Sequence, residues 1–255
     1  MNPRPKPEGP HSLAAIQSRQ GRLMLLALML CAAALAQPTP PIVPVDKEPH
    51  HHLVFENEYV RVFSVELPPH SETLYHQHDR DYLFVTLGDS SVENHRIGAE
   101  PAKLELKDGE TRFTKGGFAH KAVNLSDKPF KNWTIEIRKP MQDVHASGFT
   151  RISGEAGETT WFTSPNVRCL SIFGSKDSSA GFKGEHYLIM PLSKAFLKQE
   201  IRKQEQRTEL QLGDVAWIAA SDQTLWIGSH DGRPVNVCAF KPAAFAHEPQ
   251  SRRDD

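Results

Sequence analysis

"LYHQHDRDYLFVTLG", Leu74 to Gly88, places two histidines one residue apart and then runs into an alternating apolar stretch. Side chains on a strand alternate between faces, so His76 and His78 point the same way. Two imidazoles one strand repeat apart can share a metal ion. The same spacing also suits two polar residues on the exposed lip of a strand, so the pair alone does not define a site.

Outward from this stretch the chain reads as short strands. "EYVRVFSVEL", "KLELKDGETRFT" and "NWTIEIRKP" alternate at period two between Gly, Pro, Asp and Asn breaks, which predicts an all-β barrel or sandwich. The pattern then repeats. "VRVFSV" at 60–65 is matched by "VRCLSI" at 167–172, and "DYLFV" at 81–85 by "HYLIM" at 186–190. "ELKDGE" at 105–110 returns as "ELQLGD" at 209–214, and "IRKP" at 137–140 as "AFKP" at 239–242. Four matches in one order define two related β units, each long enough for a small eight-stranded barrel. "LSKAFLKQEIRKQEQ" in the second unit reads equally as a short helix or as a strand excursion.

A third ligand on a neighbouring strand is offered by "GETRFTKGGFAHKAVN", Gly109 to Asn124. Gly109, Gly117, His120 and Asn124 resemble the second signature of the cupin superfamily, with Lys115 where that signature has proline. His76 and His78 match the first signature, His-x-His followed by a glutamate. The resemblance covers residues 53–140, and the second unit extends it to a bicupin. It implies two tandem jelly-roll (cupin) β-barrels, the first holding one divalent metal ion through His76, His78 and His120. The ion could be iron, manganese, zinc, nickel or copper, since imidazole suits them all.

At the glutamate position stands Tyr82, with Asp81 beside it. Strand parity aims Tyr82 inward, as a hydroxyl near the ion or facing substrate; Asp81, reached through a bulge, is the alternative ligand. Three neutral imidazoles leave coordination positions open, as a catalytic metal needs. The resemblance therefore implies a metal-dependent enzyme, dioxygenase-like among cupins with three histidines, acting on a small molecule. A module that binds a sugar or carboxylate without turning it over is the competing reading. Ligation needs neutral imidazole, so binding is expected to weaken below a pH of about 6.5. In the second unit Gly181, Lys183 and Thr224 align with the three histidines, and no ligand survives. That unit is expected to be structural, packing on the first barrel or carrying a homodimer interface.

Other features are read more plainly. "HHH" at 50–52 is expected to be a solvated cluster at the edge of the fold, and lining the cavity mouth is the less favoured reading of His70. Arg112, Lys115, Glu136 and Phe84 are candidate substrate contacts. Asn124 and Asn132 begin glycosylation-type triplets. Cys169 and Cys238 either pair or stay as buried thiols.

The 255 residues carry 30 Lys+Arg against 31 Asp+Glu, a balance that offers no excess charge for nucleic acid. The N-terminus differs. "MNPRPKPEGPHSLAAIQSRQGR" is basic, "LMLLALMLCAAALA" is uncharged, and Ala34-Leu35-Ala36 forms a small-residue cut site. Together these predict a cleaved signal peptide over 1–36 and export to a periplasmic or extracellular space; an uncleaved membrane anchor is the alternative. The expected order is then a Pro-rich spacer at 37–49, a metal-binding cupin domain at 50–140, a linker at 141–160, a degenerate cupin domain at 161–245 and a disordered tail at 246–255.

Overall fold

Strands with apolar residues at both parities are those that must be covered on both faces. "FKNWTIEI", residues 130–137, is buried at every position except Lys131, and "VNVCAF", residues 235–240, is buried throughout. The structure, a computed structural model, describes residues 40–139, 145–146, 157–173, 179–201 and 203–242. The signal segment 1–36 and the tail 246–255 lie outside the described residues.

The first unit comprises β1 (Ile42–Pro44), β2 (His51–Glu56), β3 (Val60–Leu67), β4 (Tyr75–His78) and β5 (Tyr82–Thr86). It continues through β6 (Ser90–Arg96), β7 (Ala102–Leu106), β8 (Thr111–Thr114), β9 (Phe118–Asn124) and β10 (Phe130–Ile137). One sheet runs β1-β4-β9-β6-β7 and faces a second in the order β2-β3-β10-β5-β8. The second unit has β11 (His145–Ala146), β12 (Gly157–Thr163), β13 (Val167–Phe173), β14 (Ser179–Phe182) and β15 (His186–Pro191). It ends with β16 (Ala195–Ile201), β17 (Gln204–Leu210), β18 (Ala216–Ile218), β19 (Leu225–Ser229) and β20 (Val235–Phe240). Its sheets run β11-β12-β13-β20-β15-β18 and β14-β19-β16-β17.

Strand for strand, the two orders coincide. β12-β13-β20-β15-β18 repeats β2-β3-β10-β5-β8, and β14-β19-β16-β17 repeats β4-β9-β6-β7. The two units are jelly rolls of one plan. The charged segment at 192–206 resolves as the β16–β17 hairpin, with β17 exposed at every position from Gln204 to Glu209.

From Ile42 onward the chain belongs to one compact unit. The outer face of β3-β10-β5 presents Val60, Val62, Leu83, Val85, Trp133 and Ile135. It shares one buried cluster with Trp161, Phe162, Cys169, Leu188, Met190 and Cys238 of the second barrel. Two-sided burial of β10 and β20 follows from this sheet-on-sheet packing. Inside the second barrel, Leu170, Phe182, Ile189, Leu197, Ile227 and Val237 belong to a buried core. The corresponding interior of the first barrel keeps a cavity of about 210 Å³.

Two expectations change. The chain expected as spacer is already folded from Ile42: β1 pairs parallel with β4, Val43 opposite His76. A short 3-10 turn follows at Val45–Lys47, and Glu48 is buried. Asn124 and Asn132 are also buried. The Asn124 amide nitrogen reaches the carbonyls of Leu67, Pro68 and Lys128, so it ties a loop to β9 and is no acceptor for a glycan.

A candidate metal centre of four histidines

β4 turns His76 and His78 inward, and both are buried. Antiparallel pairing of β4 with β9 sets His76 directly opposite His120. Their ring centroids are 4.5 Å apart, and His78 and His120 are 5.2 Å apart. The three histidines expected from the signatures thus converge on one end of the cavity.

A fourth imidazole joins them. His51, expected to be solvated, is buried on β2 and faces across the barrel with its ring 4.6 Å from His76. Potential ligand atoms of His51, His76 and His78 all lie within 4.8 Å of one another. Parity explains why His51 alone of the three turns in: His52 is exposed, and His50 is not buried and reaches the Glu66 carbonyl.

Three of the four rings are held from behind. Nδ1 of His76 donates to the Leu74 carbonyl at 2.9 Å, and Nδ1 of His120 to Asn94 Oδ1 at 2.7 Å. Nδ1 of His51 donates to Glu48 Oε2 at 2.6 Å. Nδ1 of His78 is buried with no hydrogen-bond partner among the described residues; Glu136 Oε1, at 3.7 Å, is too far. A proton fixed on Nδ1 leaves the lone pair on Nε2, the tautomer a metal ligand requires. Nε2 of His76 and of His120 is buried and has no hydrogen-bond partner among the described residues. Orphaned lone pairs are costly unless something electropositive satisfies them. The residues fit a divalent ion.

Burial, with repulsion from His51, pushes His76 down to about 3. Burial also lowers His120 far below the usual imidazole range, and lowers His51 against the pull of Glu48. The expected weakening of metal binding near pH 6.5 therefore moves to lower pH. Glu48 feels burial most, which alone would raise it. Hydrogen bonds from His51 and from the backbone of His50 and Leu74 overcome this and hold it low, as a carboxylate.

Tyr82 is buried, stacks on His78 with centroids 4.3 Å apart, and lines the cavity. Burial pushes its phenol up to about 12, so it stands neutral, as a hydrogen-bonding hydroxyl rather than a base. Asp81 is not among the residues lining the cavity, and its Oδ1 accepts from the Gly116 amide at 2.9 Å. Phe84 and Arg112 line the cavity. Lys115 is not among its lining residues, and Glu136 instead carries Arg61 at 3.2 Å. His70 is exposed and pairs with Asp127, away from the mouth. In the second barrel β14 and β19, which correspond to β4 and β9, carry no His, Cys, Asp or Glu.

No protein-family model matches this sequence, and no curated protein matches it. Solved structures do. AerE from Microcystis aeruginosa superimposes with a TM-score of 0.57 at 14% identity, over 80% of this chain and 98% of that one. Salicylate 1,2-dioxygenase from Pseudaminobacter salicylatoxidans gives 0.56 at 11%, over 85% and 81%. A cupin 2 conserved barrel domain protein from Leptotrichia buccalis gives 0.51 at 9%, over 75% and 88%. The likeness is one of fold, and the chain has the cupin fold in tandem.

Proposed function

We propose that the protein is a metal-dependent enzyme acting on a small molecule in the first barrel. One divalent ion would be held by His76, His78 and His120, with His51 as a fourth imidazole. The carrying observation is the inward aim of Nδ1-anchored rings whose Nε2 atoms at His76 and His120 have no partner among the described residues. An ion held there would supply Lewis-acid or redox chemistry to a bound oxygen. The chain would contribute the rest. Tyr82, neutral and buried, donates a hydrogen bond at the cavity wall. Phe84, Leu104 and Phe118 help exclude water from the space beside the histidines. The structural likeness to a dioxygenase solved with gentisate in its variant form supports an oxygenase-type reaction on a small aromatic acid.

A second reading has its own support. A fourth imidazole closes a position that three would leave open, which favours a module that holds its ligand unchanged. Oxygen uptake with added ring substrates separates the two. For the metal itself, analysis of purified protein should give one ion per chain. His76→Ala, His120→Ala and His51→Ala should each lose more affinity than the roughly 10–100-fold typical of losing an outer partner. Full retention in His120→Ala would place the ion elsewhere.

We also propose export. The buried Cys169–Cys238 disulfide supports an oxidising compartment, in keeping with the N-terminal signal pattern.

A further inference from the structure

The cavity is unusual in its charge. No aspartate or glutamate is among the described residues that line it. The signature glutamate, which would place a negative charge on the metal, is replaced by the neutral phenol of Tyr82. Four imidazoles carry no charge when they ligate, so the full double charge of an ion would stand uncompensated among its ligands.

Carboxylates behind the wall are already engaged. Glu48 holds His51, and Glu136 holds Arg61. Glu110 takes both Nε and Nη2 of Arg112, at 2.8 and 2.7 Å, which neutralises that arginine. Arg96 is different. It stands opposite His120 in the β6–β9 register and lines the cavity at its exposed end. Its guanidinium lies 4.0 Å over the Phe118 ring, and among the described residues no carboxylate forms an ion pair with it. Stacking steadies the planar group while leaving its N–H edge free, and that edge matches a carboxylate in two parallel hydrogen bonds. The rest of the lining is mixed: Thr73, Asn94, Thr114, Asn132 and Thr134 are polar, while Leu67, Val92, Leu106 and Phe130 form a buried apolar cluster with Phe84 and Leu104 packed against it. At about 210 Å³ the cavity is below the ~300–1,000 Å³ of drug-sized pockets, so the ligand is compact.

Resting on the metal reading above, we infer that this site takes a small monocarboxylate with a compact apolar body, its carboxylate received by Arg96 and the ion side of the cavity. Positive charge at one end selects against neutral isosteres, and the patch of Leu67, Phe84, Leu104 and Phe130 receives the ligand's apolar body.

The test uses the full mature protein, with metal content measured on the same sample, and calorimetric titration with benzoate and with its neutral isostere benzamide. Benzoate should bind at least about tenfold more tightly, the scale of a charge-assisted pair of hydrogen bonds. Arg96→Gln should erase most of that ratio with the ion count and thermal midpoint unchanged, and Arg96→Lys should keep part of it. Equal binding of the two probes, binding of neither, or an undiminished ratio in Arg96→Gln overturns the inference. A sample without metal sinks the metal reading separately, while the benzoate-to-benzamide ratio still decides the charge preference.

Discussion

His51 shows what a single side chain gains from its surroundings. Alone it is one of three consecutive histidines; in the fold Glu48, three residues earlier, fixes its tautomer, and the Leu74 amide donates to the same carboxylate. Glu48 thereby ties the start of the fold to the loop whose carbonyl holds His76. Because His51, His76 and His120 all titrate below an ordinary imidazole, the sign of the pH effect follows. As pH falls below about 6.5 the unfolded chain takes up protons that the folded chain refuses, down to about 3 for His76, so folding loses stability across that window. Metal-stripped protein should show a thermal midpoint that drops steadily from pH 7 to pH 4, with a shallower fall in His76→Gln. A flat midpoint would mean the rings are not buried as neutral groups. Of these residues, His76 and His78 were legible from strand spacing, and His120 from the resemblance to the second cupin signature. His51 was not, because its burial depends on the register of β2 and on a carboxylate that reads as linker.

Among the elements, the turn from β8 into β9 controls the site most directly. Gly117 adopts a positive φ of 87° and its amide donates to the His78 carbonyl at 2.7 Å. A Cβ on Gly116 would come within 2.4 Å of the Arg80 carbonyl carbon and oxygen. The glycine pair therefore lets β9 press against the end of β4, which is what sets His120 opposite His76. Gly116→Ala should cost about 1–3 kcal/mol, the usual range for overpacking, and should weaken metal binding without touching a ligand. Denaturant titration and metal titration of the same variant check both; a variant with wild-type stability and affinity would refute the close approach. Strand patterns were plain wherever alternation was strong, as in β3 and β5. β1 was hidden because "PIVP" has the composition of a linker and its pairing partner is 33 residues away in the register Ile42 to Tyr75. The β16–β17 hairpin was ambiguous because Lys, Gln and Glu favour helix when no packing decides, and β17 packs little of itself away.

At the scale of the whole molecule, duplication has divided the labour. Both barrels keep one strand order; the first keeps a cavity lined by histidines, while among the described residues the second has a buried apolar core inside and lends its outer sheet to the shared core. Cys169 and Cys238 face each other across β13 and β20, fully buried in that core. They close a loop of 69 residues, for which the chain-entropy account gives about 4 kcal/mol of stabilisation. The proposed export rests on the same bond, because disulfides persist chiefly in oxidising compartments. Exported protein should begin at or near Gln37 on N-terminal sequencing, and should show no free thiol after denaturation without reductant. Replacing both cysteines by Ala should lower stability by a few kcal/mol while leaving one metal ion per chain, because the cavity lies on the inner face of the first barrel's β3-β10-β5 sheet, away from the shared core. A chain that starts at Met1 with two titratable thiols at Cys169 and Cys238 would refute both the bridge and the export it supports.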